Sequence, residues 1–450
     1  MRKVITYGTY DLLHYGHIRL LESAKALGDY LVVGVTSDGF DKVRGKINVQ
    51  QSLMERIEAV KATGIADEII VEEYEGQKID DIRRLGIDIF TVGSDWVGYF
   101  DYLKEYCDVV YLDRTQGVSS SEIRQKDRSV RLGFVGGSAH NILSKYYKES
   151  FLVNGAEVVG VYNMGKDLTE LKDEDIALYD DYDSLLEECD AVYIVSKPEM
   201  HYEHVKKALE KGRNVLCEAP IALNKKECDE LMELADSKKL ILMDAIKTAY
   251  ATAYSRLLVI VKSGRIGDVV SVDATCTSLA NYSDKEDFVK HNWNSICAWG
   301  PTVMLPVFQL LGCDYIDKKI SSIYLDEKEK FDLFTKINFT YPNAVASVKV
   351  GVGVKSEGSL VISGTKGYVY VPAPWWKTDY FEVRYENQDE NKRYFYQLNG
   401  EGIRYEIAAF IKSISSLTQN RFISPVVTKE IVNVIDNYYN DIDVNELKVK

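Results

Sequence analysis

Short apolar runs alternate with segments of helical periodicity along the first 125 residues, and this alternation limits how the chain can fold. Parallel strands need a long crossover between them, most often a helix, so the pattern predicts a doubly wound parallel sheet. The pattern starts again at Val130, after the polar, charged stretch 122–129, which is typical of a linker. We therefore predict two consecutive α/β units.

From about residue 266 the chain changes to long segments in which apolar and polar residues alternate, such as 269–277 and 344–352. This period of two predicts a mostly antiparallel sheet with one covered face. A length of 450 residues suits about three domains. We place them at 1–128, 129–255 and 256–450.

Composition and charge exclude several classes of protein. With 46% hydrophobic and 28% charged residues, the chain has an ordinary globular composition and not that of a disordered protein. A net charge of −14 repels nucleic-acid backbones, so we expect no nucleic-acid partner. No apolar run approaches the roughly 18 residues of a membrane span, and no secretory leader follows Met1. Seven scattered cysteines without a CxxC pair indicate reduced thiols, and we expect a cytoplasmic protein that does not bind membranes.

The motif that carries the most chemistry runs from Gly8 to His17, where the first predicted strand ends and the first helix begins. Its sequence is Gly-Thr-Tyr-Asp-Leu-Leu-His-Tyr-Gly-His. A helix N-terminus at the carboxyl end of a parallel strand is a ready anion site. His14 and His17 stand on either side of Gly16, and two imidazoles there can donate to phosphoryl oxygens as negative charge grows. The motif therefore predicts an in-line displacement at phosphorus.

Residues 1–125 resemble the HxGH nucleotidyltransferase superfamily and, within it, the glycerol-3-phosphate cytidylyltransferases. The matching segments are 7–17, 27–33, Asp95-Trp96 and the Arg-Thr-Gln-Gly-Val-Ser-Ser-Ser run at 114–121. The resemblance implies catalytic roles for His14, His17, Lys46 and Arg114. It implies that CTP is bound by Gly8, Thr9, Tyr10, His14, Gly16, His17, Lys46, Asp95, Arg114, Thr115, Ser119 and Ser120. It further implies that Asp11, Arg44, Arg56 and Lys78 bind the acceptor and that Mg²⁺ accompanies CTP.

Two positions depart from this family pattern. Arg44 stands where the family usually has Lys, and Ser120 stands where it usually has Thr. Both changes keep hydrogen-bond donors, but a planar guanidinium binds an oxyanion differently from an ammonium. The resemblance therefore leaves open whether the acceptor is glycerol phosphate.

The second α/β unit opens on Gly-Phe-Val-Gly-Gly-Ser-Ala-His-Asn at 133–141, an imperfect dinucleotide fingerprint. Together with the segments 197–201, 208–222, 263–267 and 358–368, it resembles the Gfo/Idh/MocA oxidoreductases. The resemblance spans about 130–450 and implies a Rossmann-type dinucleotide-binding domain followed by an α+β domain with an open-faced mixed sheet. It implies a cofactor site formed by Gly133, Gly136, Gly137, Ser138, Asn163, Glu218 and Pro220. The cofactor would be NADPH or NADH, and Asn163 in place of an acidic residue favours NADPH.

The catalytic signature of this second family is altered. A Glu-Ala-Pro tripeptide at 218–220 stands where the family has Glu-Lys-Pro, and segment 299–308 lacks the family's Asp and His. A hydride-transfer site still needs a proton donor within hydrogen-bond reach. We select Lys247, which follows a predicted strand at its carboxyl end, ahead of Tyr250 and His291.

His201 and His204 are open to two interpretations. Their spacing is compatible with a metal-binding pair, and also with the solvated first turn of a helix. We favour the solvated turn.

Two functional hypotheses follow from the fusion. In the first, the C-terminal part reduces a ketose phosphate to a polyol phosphate, and the N-terminal part joins this product to CMP, giving a CDP-polyol for surface polysaccharide. Candidate pairs are fructose 6-phosphate and glucitol 6-phosphate, dihydroxyacetone phosphate and glycerol 3-phosphate, and ribulose 5-phosphate and ribitol 5-phosphate. In the second, the C-terminal part is a non-catalytic module for binding or oligomerisation beside a glycerol-3-phosphate cytidylyltransferase. We favour the first hypothesis, and we expect a homo-oligomer that acts on small molecules.

Overall fold

The computed structural model describes residues 2–13, 15–37, 49, 51–74, 76–112, 129–136, 142–163, 176–396, 398–416 and 422–448. The chain forms two compact units, Met1–Ser129 and Val130–Lys450. Apart from Ser129, the predicted linker at 122–129 lies outside the described residues. The boundary that we predict near residue 255 falls within the second unit and stays a prediction.

The first unit is built on a parallel sheet. Within the described residues its strands are β1 (Lys3–Gly8), β2 (Tyr30–Thr36), β3 (Glu68–Glu72), β4 (Ile89–Gly93) and β5 (Asp108–Leu112). Their order across the sheet is β3-β2-β1-β4-β5, and neighbouring strands are parallel. The described helices are α1 (Tyr15–Lys25), α2 (Leu53–Ala62) and α3 (Gln77–Leu85). The doubly wound sheet predicted from the alternating pattern is confirmed.

Both faces of this sheet are covered, which explains why its central strands are apolar at nearly every position. Successive residues of a strand point to opposite faces. Val4 belongs to the apolar cluster that includes Leu21 of α1, whereas its neighbour Ile5 belongs to the cluster that includes Ile82 of α3. The two layers hold the sheet between helices and leave its edges and strand ends for chemistry.

The second unit begins with another parallel sheet. Its described strands are β6 (Val130–Gly136), β7 (Ala156–Asn163), β8 (Leu178–Tyr179), β9 (Ala191–Val195), β10 (Asn214–Glu218) and β11 (Leu242–Ala245). They are ordered β11-β10-β9-β6-β7-β8. The accompanying helices are α4 (Ile142–Ser150), α5 (Tyr182–Glu188), α6 (Pro198–Glu210) and α7 (Lys225–Lys238). Helix α6 begins at Pro198, which occupies its first turn, where a missing N–H costs nothing.

The rest of the second unit is a mixed sheet with helices on one side. Its described strands are β12 (Val269–Thr277), β13 (Asp317–Asp326), β14 (Phe331–Thr340), β15 (Val345–Gly351), β16 (Leu360–Gly364), β17 (Tyr368–Val371), β18 (Tyr380–Arg384), β19 (Lys392–Phe395) and β20 (Val444–Glu446). The described helices are α8 (Lys247–Tyr250), α9 (Thr252–Lys262), α10 (Lys285–His291), α11 (Ser295–Leu311), α12 (Ile403–Ser416) and α13 (Pro425–Tyr439). The order is β19-β18-β17-β16-β12-β15-β14-β13-β20. Strands β12 and β15 pair in parallel, as do β13 and β20, and the remaining described pairs are antiparallel. In the part of the chain that the structure describes, no helix combines the length and the apolar character that crossing a membrane requires.

Gly34 of β2 lies beside Tyr7 of β1, and the tyrosine ring fills the space that a side chain at Gly34 would need. A Cβ atom built at Gly34 would lie 2.2 Å from Cδ1 of Tyr7. The Tyr7 hydroxyl donates a 2.9 Å hydrogen bond to Oδ2 of Asp81, so the ring cannot move away without breaking a buried contact. The pair fixes the register and spacing of two central strands.

We expect Gly34→Ala to destabilise the first unit by about 1–3 kcal/mol, the usual cost of overpacking a filled site. Thermal or urea unfolding of the full chain measures the change. Gly93→Ala, at the end of β4, is the matched control, because a Cβ atom there meets nothing within 4 Å. Equal stability of the two variants would contradict the packing argument.

Candidate active sites

The first site lies where the order of strands in the first sheet reverses direction. The chain builds β2 and β3 on one side of β1 and then adds β4 on the other side. At such a switch point the loops beyond the carboxyl ends of the two central strands diverge and leave a crevice. The segment after Gly8, which ends β1, and the turn Ser94–Trp96, which follows β4, both border it.

Tyr10 turns back into the protein immediately after β1. Its backbone has a φ of +53°, and its side chain is only 1% exposed. A Cβ atom at Gly8 would lie 2.9 Å from Cζ of this ring, so glycine is needed for the ring to fold over the strand end. The ring meets His17 edge-on, with centroids 5.5 Å apart. Tyr10 therefore positions His17 in the first turns of α1, beside Gly16.

Arg56 anchors the loop that carries the motif. Its guanidinium is fully buried, and Nη1 donates to the carbonyl oxygens of Thr9 and Thr36 at 2.8 Å each. Its Nε donates to the carbonyl of Gln51 at 3.1 Å. Asp11, 1% exposed, accepts a 2.9 Å bond from the Gln51 amide. The acceptor-binding roles predicted for Arg56 and Asp11 find no support in these contacts, because both groups face the interior and hold the loop to α2.

Lys78 is also buried at the carboxyl edge of the sheet, with 8% of its surface exposed. Its ammonium forms an ion pair with Glu72 at the end of β3 and lies 4.6 Å from the ring centroid of Tyr7. Thr36 Oγ1 donates to the other carboxylate oxygen of Glu72 at 3.1 Å. A buried cation of this kind is held by its partners, so reaching an acceptor phosphate would require breaking the pair.

Several residues predicted for the first site lie outside the described residues. These are His14, Arg44, Lys46, Arg114, Thr115, Ser119 and Ser120. The backbone of Asp95 lies in the turn after β4, at the same edge as the motif. Of the predicted set, the structure brings Gly8, Thr9, Tyr10, Gly16 and His17 together at the end of β1 and the start of α1.

The second site lies at the switch point of the Rossmann-type sheet. Gly136, the last residue of β6, pairs with Asn163 at the end of β7 and with Val195 at the end of β9. These three ends border the crevice where dinucleotides bind in folds of this type. Gly137 and Ser138 lie outside the described residues. Gly133 has a different role. A Cβ atom there would lie 2.9 Å from the Leu185 side chain, so glycine at this position allows α5 to pack on the sheet.

Glu218, at the end of β10, takes part in a cluster that the sequence did not predict. Its Oε1 accepts hydrogen bonds from the hydroxyls of Tyr146 at 2.6 Å and Tyr193 at 3.0 Å. The Tyr193 hydroxyl also contacts Oε1 of Glu406, on α12, which is fully buried. Burial raises the pKa of both carboxyl groups, that of Glu406 well above its ordinary value. We call Glu218, Tyr146, Tyr193 and Glu406 the carboxyl–tyrosine cluster.

Lys247 lies at the start of α8, close enough to the carboxyl–tyrosine cluster that its positive charge lowers the pKa of both carboxyl groups against the effect of burial. Its Nζ is 3.8 Å from Oε2 of Glu401 and its side chain is 31% exposed. The alternatives are placed differently. The Tyr250 hydroxyl donates to the carbonyl of Asp244 at 2.6 Å, and His291 lies at the surface beside Asp287. Lys247 is thus the member of the predicted trio that the structure brings to Glu218.

The solvated helix start proposed for His201 and His204 is wrong, because both side chains are buried in α6. His201 bridges two strand ends, with Nε2 2.6 Å from the carbonyl of Ser196 and Nδ1 2.8 Å from that of Pro220. Nδ1 of His204 lies 2.8 Å from the Ser196 hydroxyl, and burial lowers the pKa of His204 to about 4. Among the described residues, no group of three or more His, Cys, Asp or Glu side chains is placed to hold a metal ion.

We expect Arg56→Lys to destabilise the first unit by about 1–3 kcal/mol, because an ammonium cannot serve the three carbonyl groups that the guanidinium holds. CMP transfer, the activity that the sequence resemblance implies, should fall along with stability, since Thr9 loses its anchor. Unfolding curves and pyrophosphate release measure the two effects. Arg19→Lys, on the exposed face of α1, is the control and should change both by little. Unchanged stability in Arg56→Lys would contradict the anchoring role.

Two family models match the chain. Residues 5–126 match the cytidylyltransferase-like family, and residues 130–245 match the oxidoreductase family with an NAD-binding Rossmann fold. The chain is 49% identical over 125 residues to a glycerol-3-phosphate cytidylyltransferase of Bacillus spizizenii, a match that covers 28% of this chain and 96% of that protein. A glycerol-3-phosphate cytidylyltransferase of Staphylococcus aureus is 45% identical over 130 residues, covering 28% of this chain and 95% of that protein.

Solved structures resemble the second unit. The 3-ketoreductase KijD10 from Actinomadura kijaniata, in complex with NADP and TDP-benzene, superposes with a TM-score of 0.62 at 15% identity, covering 71% of this chain and 99% of that chain. The UDP-N-acetylglucosamine 3-dehydrogenase GnnA from Acidithiobacillus ferrooxidans gives a TM-score of 0.57 at 16% identity, covering 70% and 98%. The fold of the second unit is thus that of these oxidoreductases. Through its first unit the chain belongs to the cytidylyltransferase-like family, and this unit is fused to an oxidoreductase unit of the Gfo/Idh/MocA type.

Proposed function

We propose that the chain is a bifunctional enzyme. The first unit transfers CMP from CTP to a polyol phosphate, releasing pyrophosphate, and the second unit makes that polyol phosphate by reducing a ketose phosphate with NADPH or NADH. The observation that carries the proposal is the match over 96% of a glycerol-3-phosphate cytidylyltransferase, fused to an oxidoreductase unit. The product of one reaction is then the acceptor of the other.

In the CMP transfer, the acceptor phosphate attacks the α-phosphorus of CTP while pyrophosphate leaves. Positive groups and N–H donors at the helix start stabilise the charge that grows on the phosphoryl oxygens. His17, oriented by Tyr10, donates from the first turns of α1. His14, Lys46 and Arg114 complete this site in the proposal. Mg²⁺ enters with the triphosphate, as is usual for a cation that binds phosphate oxygens and keeps several waters.

The nicotinamide dinucleotide of the second unit supplies a hydride when bound. Gly136 and Asn163 end neighbouring strands at the crevice, so residues of the right kind stand where a dinucleotide needs close backbone approach and a polar ribose contact. Asn163 carries no negative charge, which supports NADPH. Lys247 and the carboxyl–tyrosine cluster stand at the same edge of the sheet and can hold protons for the carbonyl oxygen of the substrate.

The second candidate function makes the oxidoreductase unit a binding module without catalysis. Ala219 favours it, because this position lacks the lysine that the resembled family uses. Against it stand Glu218, Lys247 and the buried carboxyl of Glu406, which keep ionisable groups at the crevice. We therefore retain the bifunctional enzyme as the proposal.

For the first reaction, His17→Ala and His14→Ala should each slow CMP transfer by about 10²–10³-fold, the scale of losing a donor that stabilises transition-state charge. Pyrophosphate release with CTP and a panel of polyol phosphates measures the rates and identifies the acceptor. Arg19→Ala, on the same helix and exposed, controls for general effects on α1. Near-normal release in either histidine variant would remove that histidine from the mechanism.

For the second reaction, NADPH absorbance should fall when the full chain meets a ketose phosphate. Lys247→Ala should abolish this loss while CMP transfer to added polyol phosphate continues. NADPH oxidation that needs no CTP would establish that reduction comes first. Failure of every ketose phosphate to oxidise NADPH or NADH would favour the binding module.

A further inference from the structure

The carboxyl–tyrosine cluster contains more acceptor oxygens than donor hydrogens if both acids are ionised. Tyr193 has one hydroxyl hydrogen, yet its oxygen contacts Oε1 of Glu218 and Oε1 of Glu406. The Tyr146 hydrogen already goes to Glu218. A phenol can donate one bond and accept others, so one of the two carboxyl groups must donate to Tyr193. The cluster therefore holds at least one carboxylic acid proton.

Glu406 is the member that keeps this proton. Its side chain is fully buried, and its Oε2 has no hydrogen-bond partner among the described residues. An ionised carboxylate with one oxygen unsatisfied in such a place would carry a large desolvation cost, whereas the neutral acid does not. Glu218, at the end of β10, is partly exposed and accepts two tyrosine hydroxyls, which suits a carboxylate. The direction of donation is then Glu406 to Tyr193 to Glu218.

Among the residues that the structure describes, Lys247 is the cation whose charge acts on both carboxyl groups of the cluster. On α4, Glu149 is occupied by two hydrogen bonds of 3.0 Å from the guanidinium of Arg404 on α12. Before α12, Glu401 is paired with Lys377 and lies 3.8 Å from Lys247. The Glu149–Arg404 pair ties α12, which carries Glu406, to α4, which carries Tyr146.

We propose that Glu406, Tyr193 and Glu218 form a proton store that serves carbonyl reduction at the crevice, in place of the lysine that Ala219 replaces. This inference rests on the proposed reductase function. A bound reduced dinucleotide would supply the hydride that the carbonyl carbon accepts. Glu406 gives its proton to Tyr193, Tyr193 gives its own proton to the Glu218 carboxylate, and Glu218 passes that proton to the carbonyl oxygen, which yields the alcohol. Glu406 is left ionised, and one proton from solvent restores it, so that atoms and charge balance.

The first test compares wild type with Glu406→Gln, because glutamine has the shape of the neutral acid and should fold. Native wild type holds a proton on Glu406 that the unfolded chain releases above its pKa of about 4.3. The stability of wild type should therefore fall relative to that of Glu406→Gln as pH rises. The ratio of their folding equilibrium constants should change by about tenfold per pH unit until pH exceeds the folded-state pKa of Glu406. Urea unfolding followed by tryptophan fluorescence measures it, since Trp293, Trp299, Trp375 and Trp376 all lie in the second unit.

The exposed Glu210→Gln is the matched control for losing a carboxyl group. The difference in free energy of unfolding between Glu210→Gln and wild type should not depend on pH in the way that the difference for Glu406→Gln does. If the free energies of unfolding of wild type and Glu406→Gln differ by the same amount from about pH 5 to 7, Glu406 is ionised in the native state. That result would contradict the proposal that Glu406 stores a proton.

Infrared spectroscopy gives a second readout that a merely structural role would not move. At neutral pH the wild-type chain should show a carbonyl band of a buried carboxylic acid, shifted in D₂O, and Glu406→Gln should lack it. If wild type lacks this band, Glu406 does not hold a proton, whether or not the chain reduces a ketose phosphate.

The delivery step is tested with the reductase assay. Glu218→Gln should lower kcat by about 10²–10⁴-fold at saturating NADPH, and Tyr193→Phe should lower kcat at high pH more than at low pH. Wild-type kcat in Glu218→Gln would overturn delivery while the proposed reductase function stands. If wild type does not oxidise NADPH, both the proposed reductase function and proton delivery by Glu218 are contradicted. The infrared band and the pH dependence of stability would still show whether Glu406 holds a proton.

Discussion

In both parallel sheets the carboxyl ends of the strands lie along one edge, and this constraint decides where each unit can do chemistry. In the first sheet the reversal of order between β1 and β4 opens a crevice at the end of β1, where the Gly8–His17 motif begins. In the second sheet the reversal between β6 and β9 does the same beside Gly136. Residues far apart in the chain, such as Gly136, Glu218 and Lys247, lie along the same edge because Gly136 and Glu218 end parallel strands and Lys247 closely follows another.

The chain buries charge-bearing groups near both edges, and it solves the desolvation problem in two opposite ways. Arg56 stays inside because three backbone carbonyls receive its hydrogens, and in doing so it joins the motif loop to the ends of two other segments. Glu406 has no such set of donors, so the favourable state is the neutral acid. A guanidinium cannot give up its proton in a protein, whereas a carboxyl group readily accepts one. The first arrangement therefore fixes a structure, and the second stores a proton.

The sequence predicts the parallel sheets well, because strand–helix alternation is a local pattern and both faces of each strand are apolar. The alternating segment at 269–277, for example, matches the bounds of β12. The strands β13 and β18 to β20 are not evident from the sequence. They lie toward the two ends of the nine-stranded sheet, and several of their positions are charged. Helix α11 was missed as well, since Pro301 and Pro306 interrupt its pattern while burial on most sides holds it in place.

The sites were predictable to the extent that a motif marks them. Gly16 and His17 were identifiable from the spacing of the motif, and Gly8 and Tyr10 from the family resemblance. The inward direction of Arg56 and Lys78 was not, because a basic residue looks the same in sequence whether it faces a ligand or a carbonyl. Glu406 follows Glu218 by 188 positions and belongs to no motif, and Tyr146 and Tyr193 resemble ordinary core aromatics. Only tertiary packing brings the four together.

The alanine at position 219 and the acid at position 406 are best understood together. An ammonium beside Glu218, as the resembled Glu-Lys-Pro pattern would supply, favours the ionised carboxylate and lowers its pKa. With Ala219 that cation is absent, and Lys247 acts on both carboxyl groups from α8. Within the described part of the chain, the cluster then has two acids and one ammonium acting on them. This is too little positive charge to keep both acids ionised in a buried place. Replacing the lysine therefore does not empty the site of exchangeable protons; it moves the proton from a nitrogen to a carboxyl pair bridged by Tyr193.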